Sequence, residues 1–336
     1  MPVLYAIRAG TRISLAGERL EVSRPPVEDG QEETVQNVPL RDVDHLVLGR
    51  QIHITMPALA TCLERGLPVI FMDGGTDVLG LCVPTPRHDV ARRQQYRLSL
   101  DATAALTIAR QIVQAKVLNG RRVLQRLAAN RPDSAAADPI ERLKRLAEAA
   151  EKASSVDILR GVEGASAGIY FATYGGFFPD HCPFEYRSRR PPHNAPNAVL
   201  SYAYTLLAAE AEAAIWQAGL DPCIGFYHEP EDRRPALALD LIEPYRAPLA
   251  DALALDLISH KILDPDAHFE ERDGGVFLNR EGKARFFLNY EKRMTREFQD
   301  RRTGLRTTLR TCLQREAQAL RLHLMEGRPY EPFVMP

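Results

Sequence analysis

The sequence is poor in cysteine. Cys62, Cys82, Cys182, Cys223 and Cys312 are widely spaced along 336 residues, and no C-x-x-C pair occurs. An odd number at such spacing argues against a disulfide framework and a structural zinc site, and fits a reducing cytoplasm. A clean apolar run of membrane-spanning length is also missing. The one charge-free stretch long enough, 191–209, is broken by three prolines, His193 and two asparagines, which argues against a membrane span. Arg8 and Arg12 interrupt the apolar start of the chain, so no signal peptide is expected there. Internal repeats and low-complexity tracts are absent. Net charge is nearly absent as well, at −1. At first sight that argues against a nucleic-acid partner, because such domains are usually basic.

Taken by segment, the charge is far from uniform. Residues 1–95 sum to −2, 96–200 to +5, 201–279 to −10, 280–321 to +7 and 322–336 to −1. Two basic blocks flank one acidic block, an arrangement suited to an anionic polymer approaching a metal-binding centre. The apolar fraction of 45% is that of a folded protein, and the length exceeds what one core usually serves, so two domains are expected.

The first part reads as β-rich. Val3–Ile7, Arg12–Leu15 and Arg19–Val22 have the spacing of a meander, with Gly10 and Ala16–Gly17 between them. Further strands are expected at Thr34–Pro39, His45–Leu48, Pro68–Met72 and Val78–Val83, with one short helix at Thr55–Arg65 and a turn at Asp73–Thr76. From Asp89 onward the composition becomes helical. Ile108, Ile112, Val113, Val117, Val123 and Leu124 recur at helical spacing within Ala104–Leu127, and Ile140–Ser154 makes another helix. Asn194 or Asn197 would cap a helix running to Ala218, another helix begins near Pro235, and Gly274–Asn279 resembles a hairpin. The expected fold class is therefore α+β in two domains. Residues 1–87 form a small β-rich domain, sandwich- or barrel-like with one short helix, and 88–336 a larger all-α domain.

Most of the nine histidines have ordinary explanations; His260, His268 and His323, for example, have polar neighbours and are expected to be exposed. His228 differs, since it follows the apolar run Gly225-Phe226-Tyr227 at the edge of a core. Beyond it, Asp240 and Glu243 share one face of an otherwise apolar helix. Two buried carboxylates need a cation. Arg246 would make a structural salt bridge; a bound divalent metal is the other solution. Glu163 lies in a helix rich in glycine and alanine, where it is either a solvent-facing residue or a third ligand. One imidazole and two carboxylates suit Mn²⁺ or Mg²⁺ better than structural zinc, and fit phosphodiester chemistry. Arg187, Arg189 and Arg190 precede a proline-stiffened loop at a helix N-terminus, which makes either a phosphate clamp or an ordinary exposed turn.

Four pieces in order carry a resemblance. Glu163-Gly164 is followed by Tyr170-Phe171. Arg187 through Tyr204 contains Arg-Arg-Pro-Pro and Asn-Ala-x-Leu-Ser-Tyr. His228 and Asp240-Leu241-Ile242-Glu243-Pro244-Tyr245-Arg246 complete the set. Together they resemble the CRISPR-associated adaptation integrase (Cas-one) family. The resemblance implies a β-rich domain joined to a helical catalytic domain, a homodimer formed largely through the N-terminal parts, and a prokaryotic cytoplasmic setting. It implies a metal-dependent endonuclease and integrase using Mn²⁺ or Mg²⁺, with Glu163, His228 and Glu243 as ligands and Asp240 as a companion or alternative. The 3′-hydroxyl of a captured double-stranded DNA fragment would attack a phosphodiester at a CRISPR repeat boundary. A companion dimer of the Cas-two family is implied as partner. Phosphate contacts are expected from Arg187, Arg189 and Arg190, and after Arg280 from Lys292, Arg293, Arg296, Arg301, Arg302, Arg306 and Arg310. Two rival readings use the same residues: a metal-dependent phosphodiesterase on another substrate, and a non-catalytic DNA-binding scaffold in which Glu163, His228 and Glu243 are structural.

Overall fold

The structure is a computed structural model and describes residues 3–25, 34–73, 78–84, 89–232, 234–300 and 303–336. It divides into two compact units, Met1–Arg87 and His88–Pro336. Most of the turn expected at Asp73–Thr76 lies outside the described residues, as do Arg301 and Arg302.

The first unit contains β1 (Leu4–Ala6), β2 (Arg12–Ala16), β3 (Arg19–Arg24), β4 (Thr34–Pro39), β5 (Leu46–Gly49), β6 (His53–Ile54), α1 (Met56–Glu64), β7 (Val69–Met72) and β8 (Val78–Cys82). Two four-stranded sheets result, ordered β1-β5-β7-β8 and β4-β3-β2-β6. The meander is real but starts one strand later than its spacing suggests. β2, β3 and β4 pair antiparallel, whereas β1 joins the other sheet by pairing parallel with β5, Leu4 opposite Leu46. Local spacing cannot separate a hairpin from a crossing between sheets. Here Gly10, at φ +81°, makes the turn that diverts the chain. Leu20 and Val22 alternate inward along β3, while β5 is buried along its whole length, as suits a strand flanked on both sides by parallel partners. Both sheets and α1 feed one core, with Ile13, Leu20, Leu46, Ala58, Cys62 and Val69 fully enclosed.

The second unit is mainly helical: α2 (Asp89–Leu100), α3 (Ala102–Asn130), α4 (Ala137–Lys152), α5 (Val156–Gly175), α6 (Ala195–Gln217), α7 (Ala236–Tyr245), α8 (Ala252–Ser259), α9 (Arg280–Thr295) and α10 (Leu309–Glu326). Two short hairpins interrupt it, β9 (Phe269–Arg272) with β10 (Gly275–Leu278) and β11 (Phe298–Gln299) with β12 (Arg306–Thr307). Asp101, Ser155, Asn194, Asn279 and Thr308 each cap a helix through a side-chain oxygen. α6 is long and apolar enough to cross a membrane, yet 72% of its apolar window is buried inside the unit, as in a core helix. His268 departs from expectation: it is buried, because its Nδ1 accepts the Asp264 N–H at 2.8 Å and so closes a turn.

α3 is the central strut, packed against α4, α5 and α7. α7 and α8 are one continuous helix joined by a π-helical turn over Arg246–Asp251. Pro248 lacks the N–H that would close an α-helical bond on the Pro244 carbonyl. Asn119 of α3 supplies a donor instead, its Nδ2 lying 2.6 Å from that oxygen. Tyr174 and Tyr204 fix the far end of the turn by donating to the Asp251 carbonyl and carboxylate.

Candidate active site

Three elements carry the acidic and imidazole groups, and α3 brings them together. Glu163 projects from α5, Glu243 from α7, and His228 from the loop between α6 and α7. That loop is held from below by Gln95 of α2, which is fully buried. Its amide donates to the Asp221 and Ile224 carbonyls at 2.8 and 2.7 Å and accepts the Asp221 N–H at 2.8 Å. Arg160, one turn before Glu163 on α5, ties the loop from outside through Glu229 at 2.6 Å.

Asp240 is the inner anchor. Its Oδ2 accepts the backbone N–H of Phe226 and Tyr227 at 2.7 and 3.0 Å, and its Oδ1 accepts the N–H of His228 at 2.9 Å. The same Oδ1 lies 2.7 Å from Nδ1 of the His228 ring. Four donors on two oxygens leave this carboxylate no lone pair aimed at an ion. The carboxylate expected as a possible alternative ligand is thus occupied with the loop, and it orients the His228 ring from the Nδ1 side, leaving Nε2 turned towards Glu243. Gly225 permits the arrangement, since a Cβ there would come within 2.8 Å of Asp240 Oδ2 and 3.0 Å of the Ala236 backbone.

Nε2 of His228 points at Glu243, 3.7 Å from Oε1. Glu243 is only 2% exposed and has two cationic neighbours, Arg246 at 3.2 Å on Oε1 and Lys116 at 2.7 Å on Oε2. Lys116 also contacts Glu163 Oε1, so one ammonium bridges both carboxylates. Burial pushes the Glu243 carboxyl up, but Arg246, Lys116 and His228 outweigh it and hold it down at about 2.

Among the described residues no group of three His, Cys, Asp or Glu is placed so that it could hold a metal ion as the side chains stand. The reason is visible: the Lys116 ammonium stands between the carboxylates. Glu243 Oε2 is buried and, despite the nearby ammonium, lacks an aligned hydrogen bond. The two carboxylates meet on one cation position, filled by the Lys116 ammonium as stand-in ion, and with His228 Nε2 beside Glu243 they have the donor chemistry of Mn²⁺ or Mg²⁺. The residues present fit such an ion.

The expected phosphate contacts divide in two. Arg189, Arg190, Lys292 and Arg296 are exposed. Arg187 turns inward, donating to Asn197 Oδ1 at 2.9 Å and Ser201 Oγ at 3.0 Å, with its guanidinium over the Tyr204 ring. Burial lowers its pKa accordingly. It fastens the proline-stiffened loop to α6 rather than meeting phosphate. Arg293 is likewise committed, to the Pro248 carbonyl at 3.0 Å and Asp256 at 2.7 Å. Arg310 is buried between Glu210 and Glu291. In each case a local carboxylate or carbonyl uses the charge.

Lys116, Asn119, Gln95 and Gly225 are absent from the sequence-based site. Lys116 and Asn119 did leave a signal. They fall at helical spacing between Ile112 and Val123, so a lysine and an asparagine sit on the apolar face of α3.

A family model described as CRISPR associated protein Cas1 matches residues 4–292. A CRISPR-associated endonuclease Cas1 from Thermus thermophilus is 34% identical over 335 residues, covering 99% of this chain and 97% of that protein. The solved structure of a Cas1 protein from Thermotoga maritima superposes with a TM-score of 0.77 at 25% identity, covering 100% of this chain and 99% of the other. A Cas6-RT-Cas1–Cas2 complex matches with a TM-score of 0.79 at 25% identity, covering 99% of this chain and 36% of the longer one.

Proposed function

Because the chain belongs to the Cas1 family, we propose that it inserts captured DNA fragments into a CRISPR array through metal-dependent phosphodiester chemistry at Glu163, His228 and Glu243. The observation that carries this reading is that Glu163 and Glu243 meet on one cation, the Lys116 ammonium, while His228 Nε2 faces the other oxygen of Glu243. Glu163, Glu243 and His228 Nε2 would hold Mn²⁺ or Mg²⁺. When bound, that ion supplies polarisation of the scissile phosphate and charge for the departing oxygen.

The protein's own residues do the rest. Asp240 keeps the His228 ring oriented with Nε2 turned towards Glu243. Arg246 offsets the Glu243 charge from behind. Arg189, Arg190, Lys292 and Arg296 provide exposed positive charge for the DNA backbone. The reaction exchanges one phosphodiester for another. A 3′-hydroxyl oxygen bonds to phosphorus, the bond to the resident 3′-oxygen breaks, and the hydroxyl proton ends on that oxygen. With water in place of the hydroxyl the outcome is hydrolysis, the nuclease activity named for the relatives. A homodimer and a Cas2 partner belong to the same reading; the likeness to the Cas1–Cas2-containing complex supports the latter.

The test is cleavage of a branched DNA duplex in Mn²⁺ by wild type and by Glu163→Gln. Loss of activity in the variant and in excess chelator, with unchanged circular dichroism, is the expected result. Equal cleavage by Glu163→Gln removes Glu163 from the site, and cleavage that survives chelation removes the metal.

A further inference from the structure

The position between Glu163 and Glu243 already holds a positive charge supplied by the chain. Lys116 rises from α3, the helix packed against both α5 and α7. Its ammonium contacts Glu163 Oε1 and lies 2.7 Å from Glu243 Oε2. The side chain is only 20% exposed, so most of its stem is packed and the charged end is directed inward. Arg246 neutralises Glu243 from the other side. Glu163, Glu243, Arg246 and Lys116 thus sum to zero without any bound ion.

A divalent ion ligated by both carboxylates would take the place that Lys116 Nζ occupies. Two cations at that separation cannot share one partly buried pair of carboxylates without strong repulsion. If the ion is added and Lys116 stays, the cluster carries +2. If the ion replaces the ammonium, the cluster carries +1, which a single DNA phosphate balances. We infer that Lys116 is an internal counter-ion exchanged for the divalent metal. It holds the two carboxylates together before metal arrives and must swing out when metal binds. Four rotatable carbons make lysine suited to this, where a rigid bidentate arginine would resist displacement. Lys116 is then a positioning residue of the empty state and a competitor of the metal. The inference rests on the proposed metal site.

Exchange makes a prediction opposite in sign to that of an ordinary supporting residue: removing the lysine tightens metal binding. The experiment is calorimetric titration of the full-length protein with Mn²⁺, comparing wild type, Lys116→Met, Lys116→Gln and Glu163→Gln. Lys116→Met is expected to bind one Mn²⁺ at least tenfold more tightly than wild type, and Glu163→Gln to lose binding. In thermal melts, Lys116→Met without metal should unfold below wild type, through the bare carboxylate pair, and Mn²⁺ should raise its Tm by more. Lys116→Gln is one atom shorter and uncharged but keeps an N–H donor, so it serves if the methionine variant does not fold, with tighter binding again expected. Mn²⁺ binding that Glu163→Gln abolishes but that is unchanged or weaker in the lysine variants overturns the exchange and leaves the metal site standing. Absence of Mn²⁺ binding in wild type and lysine variants alike overturns both.

Discussion

The ring Nδ1 of His228 lies 2.7 Å from Oδ1 of Asp240, an aspartate with no exposed surface whose carboxylate also accepts three consecutive backbone N–H groups. One buried side chain therefore sets both the path of the loop and the orientation of its histidine. Asp240→Asn replaces an acceptor oxygen by a donor facing those N–H groups. DNA cleavage should fall about 10–100-fold, the usual cost of disturbing a group that orients a metal ligand. Turnover measured beside Mn²⁺ affinity checks this, and both should drop.

Gly225 is predicted to tolerate no side chain. A Cβ would meet Asp240 Oδ2 at 2.8 Å and the Ala236 carbonyl carbon at 3.0 Å, and the helix backbone cannot retreat. Gly225→Ala should cost about 1–3 kcal/mol. It should also reduce activity, since Asp240 is what moves. Urea midpoints and cleavage rates, measured together, check both parts.

The depressed Glu243 carboxyl gives a pH signature. Its folded value of about 2 lies below the ordinary 4.5, so the folded state favours the ionised form. The resulting stability, on the order of 3 kcal/mol, is complete above pH 4.5 and is lost as pH falls towards 2. Urea midpoints of wild type should decline across that window. Glu243→Gln should decline less steeply, because a neutral amide has no proton to gain.

Much of this was legible in the sequence, and the limits have physical causes. The longer strands of the first unit, the helices carrying Glu163 and Glu243, and the Asn194 cap follow from local patterns of turn residues, apolar periodicity and capping side chains. Parallel pairing of β1 with β5 does not, because it joins residues 42 apart, such as Leu4 and Leu46, with no local marker. The two-residue strands β6, β11 and β12 are too short to show a period. At the site, residue type and spacing singled out Glu163, His228, Asp240 and Glu243 as candidates, and the family resemblance supplied the expected ligand set. Which arginines face solvent was not readable. Arg187, Arg293 and Arg310 look like Arg189 and Arg190 until the fold brings Ser201, Asp256 and Glu210 against them.

That division predicts two classes of arginine variant. Arg189→Ala and Arg190→Ala should weaken DNA binding while leaving Tm unchanged, each lost contact reducing the slope of log K against log salt by about 0.9. Arg187→Ala should lower Tm, because Asn197 and Ser201 lose their partner. Binding isotherms at several salt concentrations separate the two classes.

The chain beyond α10 is also built into the second unit. Asn119 donates to the Pro244 and Phe333 carbonyls at 2.6 and 2.9 Å and accepts the Met335 N–H at 2.7 Å. Phe333 stacks on Tyr245, two residues after Glu243, with ring centroids 4.9 Å apart. Asn119→Ala leaves buried groups unpaired at about 1–3 kcal/mol each. Hydrogen exchange should quicken in α7 and in residues 330–336 together, which mass spectrometry can read.

The central claim is that Glu163, His228 and Glu243 form one metal-dependent phosphodiester site. Integration of a short duplex into a repeat-bearing plasmid in Mn²⁺, with the Cas2 partner present, tests it most directly. Glu163→Gln, His228→Ala and Glu243→Gln, each shown to be folded by circular dichroism, should all fail to integrate, as should wild type in excess chelator. Integration at the wild-type rate by all three variants, or by wild type stripped of divalent metal, would contradict it.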